Sequence, residues 1–307
     1  MSLLIRKEGI FTTVQDLGKY GRQRFGINPM GSMDRTATRL INLILGNDDA
    51  NSVIEMHFPA SEIVFEEACM FALGGADFHA SLDGESVEIW RCLRSEKASI
   101  LKFEQKVRGN RCYLAVAGGF KIAPSNDSEF GDRRLGKSDR LDYAESKNTV
   151  AGLRVADSVL PIYSSFPTVR VIAGGEFDLL SVTDQQALVE ENFAITNDSN
   201  RMGFRLKGPA FSPNKIAEMV SAAVSFGTIQ LLPDGQLIVL MADHQTSGGY
   251  PRIANVISVD LPLLAQLGPS DKVAFKLIDI AEAERVSTQF ERDLQLLQIG
   301  CRFGRYW

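Results

Sequence analysis

Residues 71–78 read FALGGADF and residues 171–177 read VIAGGEF, so one distinctive stretch recurs with its glycine pairs one hundred positions apart. In each copy, apolar strand-forming residues precede two glycines, and an acidic residue and a phenylalanine follow. The recurrence indicates that the chain of 307 residues is built from two similar halves. The alternative is that each glycine pair is only a bulge at which a strand turns.

Length and composition agree with a globular protein of two domains. The chain is 45% hydrophobic and 23% charged, which excludes a mostly disordered protein. Because a single core stops growing at about 250–300 residues, the length favours two domains. We predict an N-terminal domain at 1–160, a C-terminal domain at 161–280, and a C-terminal helix and tail at 281–307. The polar stretch 158–167 is the predicted linker.

Charge and apolar patterning restrict the location and the partners. The longest apolar run, residues 237–242, is too short to span a bilayer, so we expect a cytoplasmic protein with no membrane role. The net charge of −5 and the lack of a Lys/Arg cluster argue against nucleic acid as a partner. Four scattered cysteines without C-x-x-C spacing predict reduced thiols, and no metal site is expected with only three histidines.

Short strands dominate the pattern, which is typical of antiparallel barrels or sandwiches with a few helices. Predicted strands, rich in β-branched or aromatic residues, are 62–65, 70–73, 87–90, 100–103, 111–116, 169–172, 229–232 and 237–242. Helices are predicted at 34–45 with Gly46 as the stop, at 183–191 capped by Thr183, after Asp260, and at 280–299. The predicted fold class is therefore mainly β.

The richest candidate site is residues 242–254, ADHQTSGGYPRIA. Polar side chains end a strand there, a glycine pair lets backbone amides approach a ligand, and an arginine that can bind carboxylate or phosphate follows. The candidate binding residues are Asp243, His244, Gln245, Thr246, Gly248, Gly249, Tyr250 and Arg252. For any one of them, an ordinary polar loop is the alternative.

Two further stretches carry candidate residues. Residues 12–34, TTVQDLGKYGRQRFGINPMGSMD, form a long glycine-rich segment with Gln15, Asp16 and Asp34, and such segments are usually functional. The alternative is that Asp34 only caps the following helix and Asp16 only pins a turn. In residues 197–209, Arg201 and Arg205 could bracket a carboxylate, or they could be solvated charges at a sheet edge.

Taken together, these three stretches, with LGGADF at 73–78 and YLAVAGGF at 113–120, resemble the biotin-dependent carboxyltransferase family. Within that family, the chain is most similar to the group that comprises the C subunit of 5-oxoprolinase, KipA and allophanate hydrolase subunit 2. The resemblance runs from about residue 5 to residue 275. It implies two cyclophilin-like β-barrel domains.

The resemblance also implies partners. Members of this group act with a B/KipI-type subunit, and with a further A-type subunit such complexes open 5-oxoproline to glutamate at the expense of ATP. The implied function is therefore a subunit of a 5-oxoprolinase that binds no cofactor covalently, with ATP used by the complex. One alternative is the carboxyltransferase component of a urea carboxylase or allophanate-type system, which would use biotin. The other is a non-catalytic partner that counteracts a KipI-like kinase inhibitor.

Two departures from the family pattern keep the non-catalytic alternative open. Residues 121–141 are shorter than usual and lack a Gly-Ser-Arg-Ser-Thr-Tyr stretch, and Ser-Ala-Ala at 221–223 replaces the usual Ser-Glu-Gly before the strand that contains Gln230. Both changes remove polar groups that could orient a substrate.

For the enzymatic hypothesis, the expected substrate is a small amide or lactam. We expect its carboxylate to bind Arg252 or Arg201, and its lactam group to pair with Gln15 or Gln245. Gln230 is a further candidate binding residue. Asp243 or Asp16 would then act as the base.

Overall fold

The structure is a computed structural model that describes residues 1–121, 134–146, 150–212 and 219–303. Most of the predicted departure at 121–141 and the last residues of the predicted tail, 304–307, lie outside the described residues. The chain divides into two compact units. The first unit contains Met1–Gly18, Asp34–Ile162 and Glu291–Trp307, and the second contains Lys19–Met33 and Tyr163–Phe290.

These units differ from the contiguous domains predicted from the sequence in two places. Lys19–Met33 groups with the second unit, because Met33 is part of the second unit's core. The last part of the C-terminal helix groups with the first unit from Glu291 onward, where Arg39 donates hydrogen bonds of 2.6 and 2.9 Å to both oxygens of Glu291. The chain therefore crosses between the units more than once.

The first unit consists of two antiparallel sheets. Its strands are β1 (Ser2–Lys7), β2 (Thr12–Gln15), β3 (Val53–Met56), β4 (Glu62–Phe65), β5 (Cys69–Asp77), β6 (Ala80–Leu82), β7 (Glu85–Ser86), β8 (Cys92–Ser95), β9 (Ile100–Phe103), β10 (Arg108–Val116) and β11 (Arg140–Asp142). They pair in the orders β11-β1-β4-β9-β6-β7 and β2-β3-β10-β5-β8. Alternate residues of both sheets, such as Ile63 in one and Leu73 and Leu114 in the other, fill a common core.

Helix α1 (Arg35–Leu45) covers β5 and β10 of the second of these sheets. Asp34 Oδ1 accepts the backbone N–H of Ala37 and Gly46 ends the helix in the left-handed conformation, so the predicted start, stop and cap are confirmed. Gly74 in β5 lets the helix approach closely, since a Cβ there would lie 2.6 Å from Ile41 Cγ2. The register of β10 against β5 shifts between Arg108 and Cys112. The extra residues of this bulge therefore belong to β10 and not to the first glycine pair, so the bulge interpretation is not confirmed at the glycines.

The second unit is a closed barrel. Its strands are β12 (Thr168–Ala173), β13 (Asn192–Ile195), β14 (Gly203–Lys207), β15 (Ala222–Ala223), β16 (Thr228–Leu231), β17 (Leu237–Leu240), β18 (Ser247–Gly248), β19 (Arg252–Val256) and β20 (Lys272–Leu277). The barrel order is β12-β19-β16-β17-β14-β13-β20, closed by parallel pairing of β20 with β12. Closure leaves the barrel with no unpaired edge, and β15 and β18 form a separate two-stranded ribbon.

Three more helices complete the described chain: α2 (Val182–Glu190), α3 (Leu261–Ala265) and α4 (Ile280–Phe303). The cap of α2 is Ser181 rather than the predicted Thr183, because the Ser181 hydroxyl accepts the N–H of Asp184. Asp260 precedes α3 as predicted, but its carboxylate binds the Arg170 side chain and caps no helix.

The mainly β fold class is thus confirmed, with the barrel evident in the second unit and a two-sheet arrangement in the first. One predicted strand is wrong: residues 87–88 are irregular and residues 89–90 form a turn. Trp90 has a φ of 65°, a left-handed conformation that an extended strand does not contain, and its indole packs against Gly74. The four cysteines are thiols, as predicted. In the part of the chain that the structure describes, no helix has the length and apolarity needed to cross a membrane.

The close approach at Gly74 yields a stability prediction. A Cβ at this position would lie 2.6 Å from Ile41 Cγ2 and from Trp90 Cζ3, so Gly74→Ala should lower the free energy of unfolding by about 1–3 kcal/mol. Gly300→Ala in α4 is the matched control, because nothing lies within 4 Å of a Cβ there. This control should raise stability by up to about 1 kcal/mol through helix propensity. Urea denaturation of both variants measures the effect, and equal stabilities would contradict the packing.

Candidate functional site

In the second unit, the loop after β17 begins with an ion pair between Asp243 and Arg201. The guanidinium donates to Asp243 from Nε at 2.7 Å and from Nη2 at 3.0 Å, and Nη2 also donates to the Gly31 carbonyl oxygen at 2.6 Å. Asn28 Nδ2 donates to the Asp243 carbonyl oxygen at 3.3 Å. Both side chains of the pair are about nine-tenths buried. The pair therefore fastens the Lys19–Met33 segment within the second unit.

The next residues of the loop, His244 and Thr246, make hydrogen bonds with backbone groups. His244 is 2% exposed, and its Nδ1 lies 2.5 Å from the Gln245 carbonyl oxygen, an acceptor that requires the proton on Nδ1. Thr246 accepts the Val224 N–H through its carbonyl oxygen at 3.2 Å, which joins the loop to the β15 region. The imidazole is thus fixed in one orientation.

Gly248 brings two amide side chains together. A Cβ on Gly248 would lie 2.7 Å from Gln230 Nε2 and 3.4 Å from Gln245 Nε2, so both amides lie close to Gly248, and a larger residue there would displace the end of the buried Gln230 side chain. Gln230 Nε2 donates to the Tyr250 carbonyl oxygen at 3.3 Å, and the Tyr250 ring is exposed. Gly249 has no comparably close neighbour. The ribbon of β15 and β18 therefore lies beside a pair of neutral hydrogen-bonding groups.

Arg252, at the start of β19, binds Glu176. Its Nε and Nη2 donate to the two Glu176 oxygens at 2.9 and 2.8 Å, and its Nη1 donates to the Ala223 carbonyl oxygen at 3.1 Å. The second glycine pair makes this possible, because a Cβ on Gly174 would overlap the Arg252 carbonyl oxygen. The stretch VIAGGEF therefore contains the end of β12, and its Glu176 carboxylate accepts hydrogen bonds from Arg252.

This ion pair also sets the protonation of its members. The Arg252 guanidinium, donating to the carboxylate, holds the pKa of Glu176 below its ordinary value. Reciprocally, the hydrogen bonds to Glu176 raise the pKa of Arg252. The pair is therefore neutral as a whole near pH 7, with its guanidinium directed at Glu176 and Ala223.

A cavity of about 400 Å³ opens beside this pair. Its lining is polar and small, and consists of Gly175, Ala223, Val224, Ser225, Thr228, Arg252 and Asn255. Thr228 Oγ1 donates to Asn255 Oδ1 at 2.9 Å and lies 3.1 Å from Ser225 Oγ. The cavity thus offers hydroxyl and amide groups beside the ion pair of Arg252 and Glu176, whose charges cancel. Such a lining suits a small polar ligand whose buried part carries no charge.

A buried polar row crosses the second sheet of the first unit. Thr13, Glu55 and Tyr113 are paired across β2, β3 and β10 and are each fully buried. Tyr113 donates to Glu55 Oε2 at 2.8 Å and accepts the N–H of Asp34 at 2.9 Å, and Arg111 Nε lies 3.9 Å from Glu55 Oε1. Burial, and then the nearby carboxylates, raise the pKa of Tyr113 well above its ordinary value.

The candidate site residues of the first unit either contact this polar row or stabilise a turn or a helix end. Gln15 is 3% exposed and donates to Thr13 Oγ1 at 3.0 Å. Asp16 Oδ1 accepts the Gly18 N–H at 2.7 Å, as the turn alternative predicts, and Asp34 caps α1. Their roles toward a ligand stay predictions.

Several predicted residues of the second unit lie at the β15–β18 ribbon with Gln230: Gln245, Thr246, Gly248, Tyr250 and Arg252. Asp243 is instead paired with Arg201 earlier in the loop, and Arg252 is the member of this set that lines the cavity. Arg205 is exposed on β14, whereas Arg201 is buried, so the two arginines differ in environment.

Four charged or phenolic groups of these sites are not predicted from the sequence: Glu176, Glu55, Arg111 and Tyr113. VIAGGEF contains Glu176, but neither the repeat nor the bulge interpretation of that stretch gives its carboxylate a partner. Among the described residues, no group of three or more His, Cys, Asp or Glu side chains is arranged to hold a metal ion.

The ordered glycine motifs agree with one family. Residues 25–277 match the family described as carboxyltransferase domain, subdomain A and B. The chain belongs to this carboxyltransferase family. The predicted resemblance is therefore confirmed, and the two glycine pairs and the 242–254 loop are features of a carboxyltransferase-family chain.

Known proteins that are similar to this chain differ in the share of their own length that the chain covers. The chain is 32% identical over 289 residues to the C subunit of 5-oxoprolinase from Haemophilus influenzae, covering 91% of this chain and 92% of that one. It is 33% identical to the Escherichia coli protein of the same name, covering 96% and 97%. The Kluyveromyces lactis urea amidolyase structure superposes with a TM-score of 0.89 at 21% identity, covering 96% of this chain but 20% of that one, which establishes the fold alone.

The pair of Glu176 and Arg252 predicts a pH-dependent contribution to stability. Because the folded-state pKa of Glu176 lies below the ordinary 4.5, the pair stabilises above about that pH and loses its effect as pH falls through the lowered value. Glu176→Gln should therefore lower the free energy of unfolding at pH 7 by about 1–3 kcal/mol, and this difference should vanish in acid.

Denaturation at pH 7 and in steps from pH 5 to pH 3 measures the difference. Glu88→Gln is the control, since its pair with Arg91 is exposed and should contribute little at any pH. A loss for Glu176→Gln that stays the same at every pH would contradict the assignment.

The hydroxyl of Tyr113 yields a second prediction. Tyr113→Phe removes a hydrogen bond to the buried Glu55 carboxylate and one from the Asp34 N–H, so stability should fall by about 1–3 kcal/mol. Tyr143→Phe, which removes a 3.3 Å bond to the Glu67 carbonyl oxygen and a weak hydrogen bond with the Cys69 thiol, should cost about 0.5–1.5 kcal/mol. Thermal and urea unfolding compare the two, and a larger loss for the Tyr143 variant would overturn the ranking.

Proposed function

We propose that the chain is a subunit of an ATP-dependent 5-oxoprolinase that opens 5-oxoproline to glutamate. The observation that carries the proposal is the match to two proteins named as the C subunit of 5-oxoprolinase, over 92% and 97% of their lengths. The urea amidolyase of Saccharomyces cerevisiae, in contrast, matches over 16% of its length. In this proposal a B/KipI-type subunit and an A-type subunit are the partners, and the complex acts in the cytoplasm.

The second-unit site supports a small amide or lactam as the substrate class. A lactam has one N–H donor and one C=O acceptor, and the cavity presents hydroxyl and amide groups from Ser225, Thr228 and Asn255. Gln230 and Gln245 each place a side-chain amide close to Gly248, in the neighbouring ribbon. Such groups can satisfy both ends of a lactam without placing a charge against it.

The ion pairs suggest how the proposed roles are distributed. Arg201 and Arg252 each bind a carboxylate of the chain, so a substrate carboxylate would have to share one of these guanidinium groups. Both oxygens of Asp243 accept from Arg201, and this ion pair is not part of the lining of the cavity. We propose Asp243 as the base for a lactam that binds beside the Arg201 pair. Asp16 remains the alternative base.

ATP is assigned to the complex rather than to this cavity. The residues that line the cavity do not fit a triphosphate, because its arginine is bound to Glu176 and its other lining residues are uncharged. No step of the reaction is therefore assigned to ATP within this chain.

A non-catalytic role is the second candidate, and one observation favours it. Ala222 in β15 pairs with Gly248 of β18. The resemblance described from the sequence implies a glutamate at this position, in the usual Ser-Glu-Gly. The ribbon beside the cavity therefore lacks an acidic side chain that could take part in proton transfer. A chain retained for binding a KipI-like partner would tolerate this loss.

The test is reconstitution of the chain with the B/KipI-type and A-type subunits of the same organism. We expect glutamate formation from 5-oxoproline that requires ATP and all subunits, and Asp243→Asn should reduce it by at least about 100-fold. Asp198→Asn is the matched control, since Asp198 is exposed in the same unit, and this variant should retain activity.

The other outcomes separate the alternatives. A stable complex without 5-oxoproline-dependent ATP hydrolysis would favour the regulatory role. Turnover that requires urea and a biotinylated protein would favour the carboxyltransferase. Full activity of Asp243→Asn would contradict the role of Asp243 as the base. It would not contradict the proposal that the chain is a subunit of a 5-oxoprolinase.

A further inference from the structure

Residues 19–27, KYGRQRFGI, form a positively charged segment in an acidic chain. The segment contains Lys19, Arg22 and Arg24, and no acidic residue occurs between Asp16 and Asp34. The whole chain has a net charge of −5. A surface segment whose charge is opposite in sign to that of the rest of the protein attracts a partner of complementary charge to that segment.

The segment is an ordered loop with close ends. The Lys19 N–H donates to the Pro29 carbonyl oxygen at 2.8 Å, which closes the loop at its base. Within it, Gln23–Phe25 is a 3-10 helix that ends at Gly26 with a φ of 76°, and Gly21 N donates to Gln23 Oε1 at 2.8 Å. Compact loops of this kind are frequently functional.

The base of the loop is anchored in the second unit. Arg201 donates to the Gly31 carbonyl oxygen, Asn28 donates to the Asp243 carbonyl oxygen, and Met33 is part of the second unit's core. Because the base is fixed, binding at the tip would order little additional chain and would lose little conformational entropy.

The tip exposes large apolar side chains between its cations. Phe25 is 66% exposed, Tyr20 is 56% exposed and Ile27 is 37% exposed. The Arg24 guanidinium lies 4.7 Å from the centre of the Phe25 ring, a cation–π contact that presents charge and ring together. Tyr, Phe and Arg are the side chains enriched at the centres of protein interfaces.

We infer that residues 19–27 are a docking loop for an acidic surface of the B/KipI-type subunit, with Phe25 and Tyr20 entering an apolar depression rimmed by carboxylates. The identity of that partner rests on the proposed function. A small anion could neutralise the three cations but would leave the aromatic rings exposed, and the negative net charge opposes binding of a long polyanion such as nucleic acid.

Binding of the purified full-length chain to the purified B/KipI-type subunit tests the inference. Arg22→Glu with Arg24→Glu should raise Kd at least about tenfold, mainly by slowing association, and should remove most of the salt dependence. Phe25→Ala should also raise Kd at least about tenfold, mainly by faster dissociation. Biolayer interferometry at several salt concentrations resolves both rates.

The matched control is Lys207→Glu with Lys276→Glu, which reverses two exposed charges on barrel strands of the same unit. It should change Kd less than about twofold, since distant exposed charges contribute little at physiological salt. Unchanged melting temperatures establish that all variants are folded. Loop variants that bind as the wild type does would overturn the inference.

Two further results would also overturn it: no binding of the wild type to the B/KipI-type subunit, or loop-dependent binding to a single-stranded oligonucleotide in place of the subunit. The proposed function fails separately. A complex that depends on the loop but does not hydrolyse 5-oxoproline would contradict the enzymatic role and leave the docking loop standing.

Discussion

The buried guanidinium of Arg201 is the interaction on which the arrangement of the second unit depends. It donates to both oxygens of Asp243 and to the Gly31 carbonyl oxygen. A guanidinium that loses water needs acceptors in fixed positions, because an unpaired buried charge costs several kcal/mol. One side chain therefore holds the loop after β17 and the end of the Lys19–Met33 segment in the same place.

Charges of the second unit are neutralised by local ion pairs. Glu176 binds Arg252 beside the cavity, and Asp243 binds Arg201 in the loop after β17. Each of these pairs leaves no net charge at its place in the unit. What remains at the cavity is a set of neutral donors and acceptors, which discriminates between ligands by hydrogen-bond geometry rather than by charge. The 19–27 loop instead carries three exposed cations with no acidic residue among them, which is the charge pattern that the proposed docking uses.

Elements with local signals could be predicted from the sequence. Helix α1 follows from its apolar spacing, its Asp34 cap and its Gly46 stop, all within one short segment. The strand predicted at 87–90 was wrong because Trp90 packs against Gly74, a contact that no local pattern reveals. At the candidate site, the residues of the 242–254 loop were identified by type, but their partners were not.

The sequence by itself determined the mainly β class, the helices and the family, since these depend on periodicity, capping and ordered motifs. Only the tertiary structure decided which charges are paired. Arg252 meets Glu176 across 76 positions because β12 and β19 are neighbours in the barrel. It also decided that Lys19–Met33 belongs to the second unit. Such pairings depend on strand register and on the unit to which each segment belongs. Both are determined by burial of the whole core and not by residues that are neighbours in the sequence.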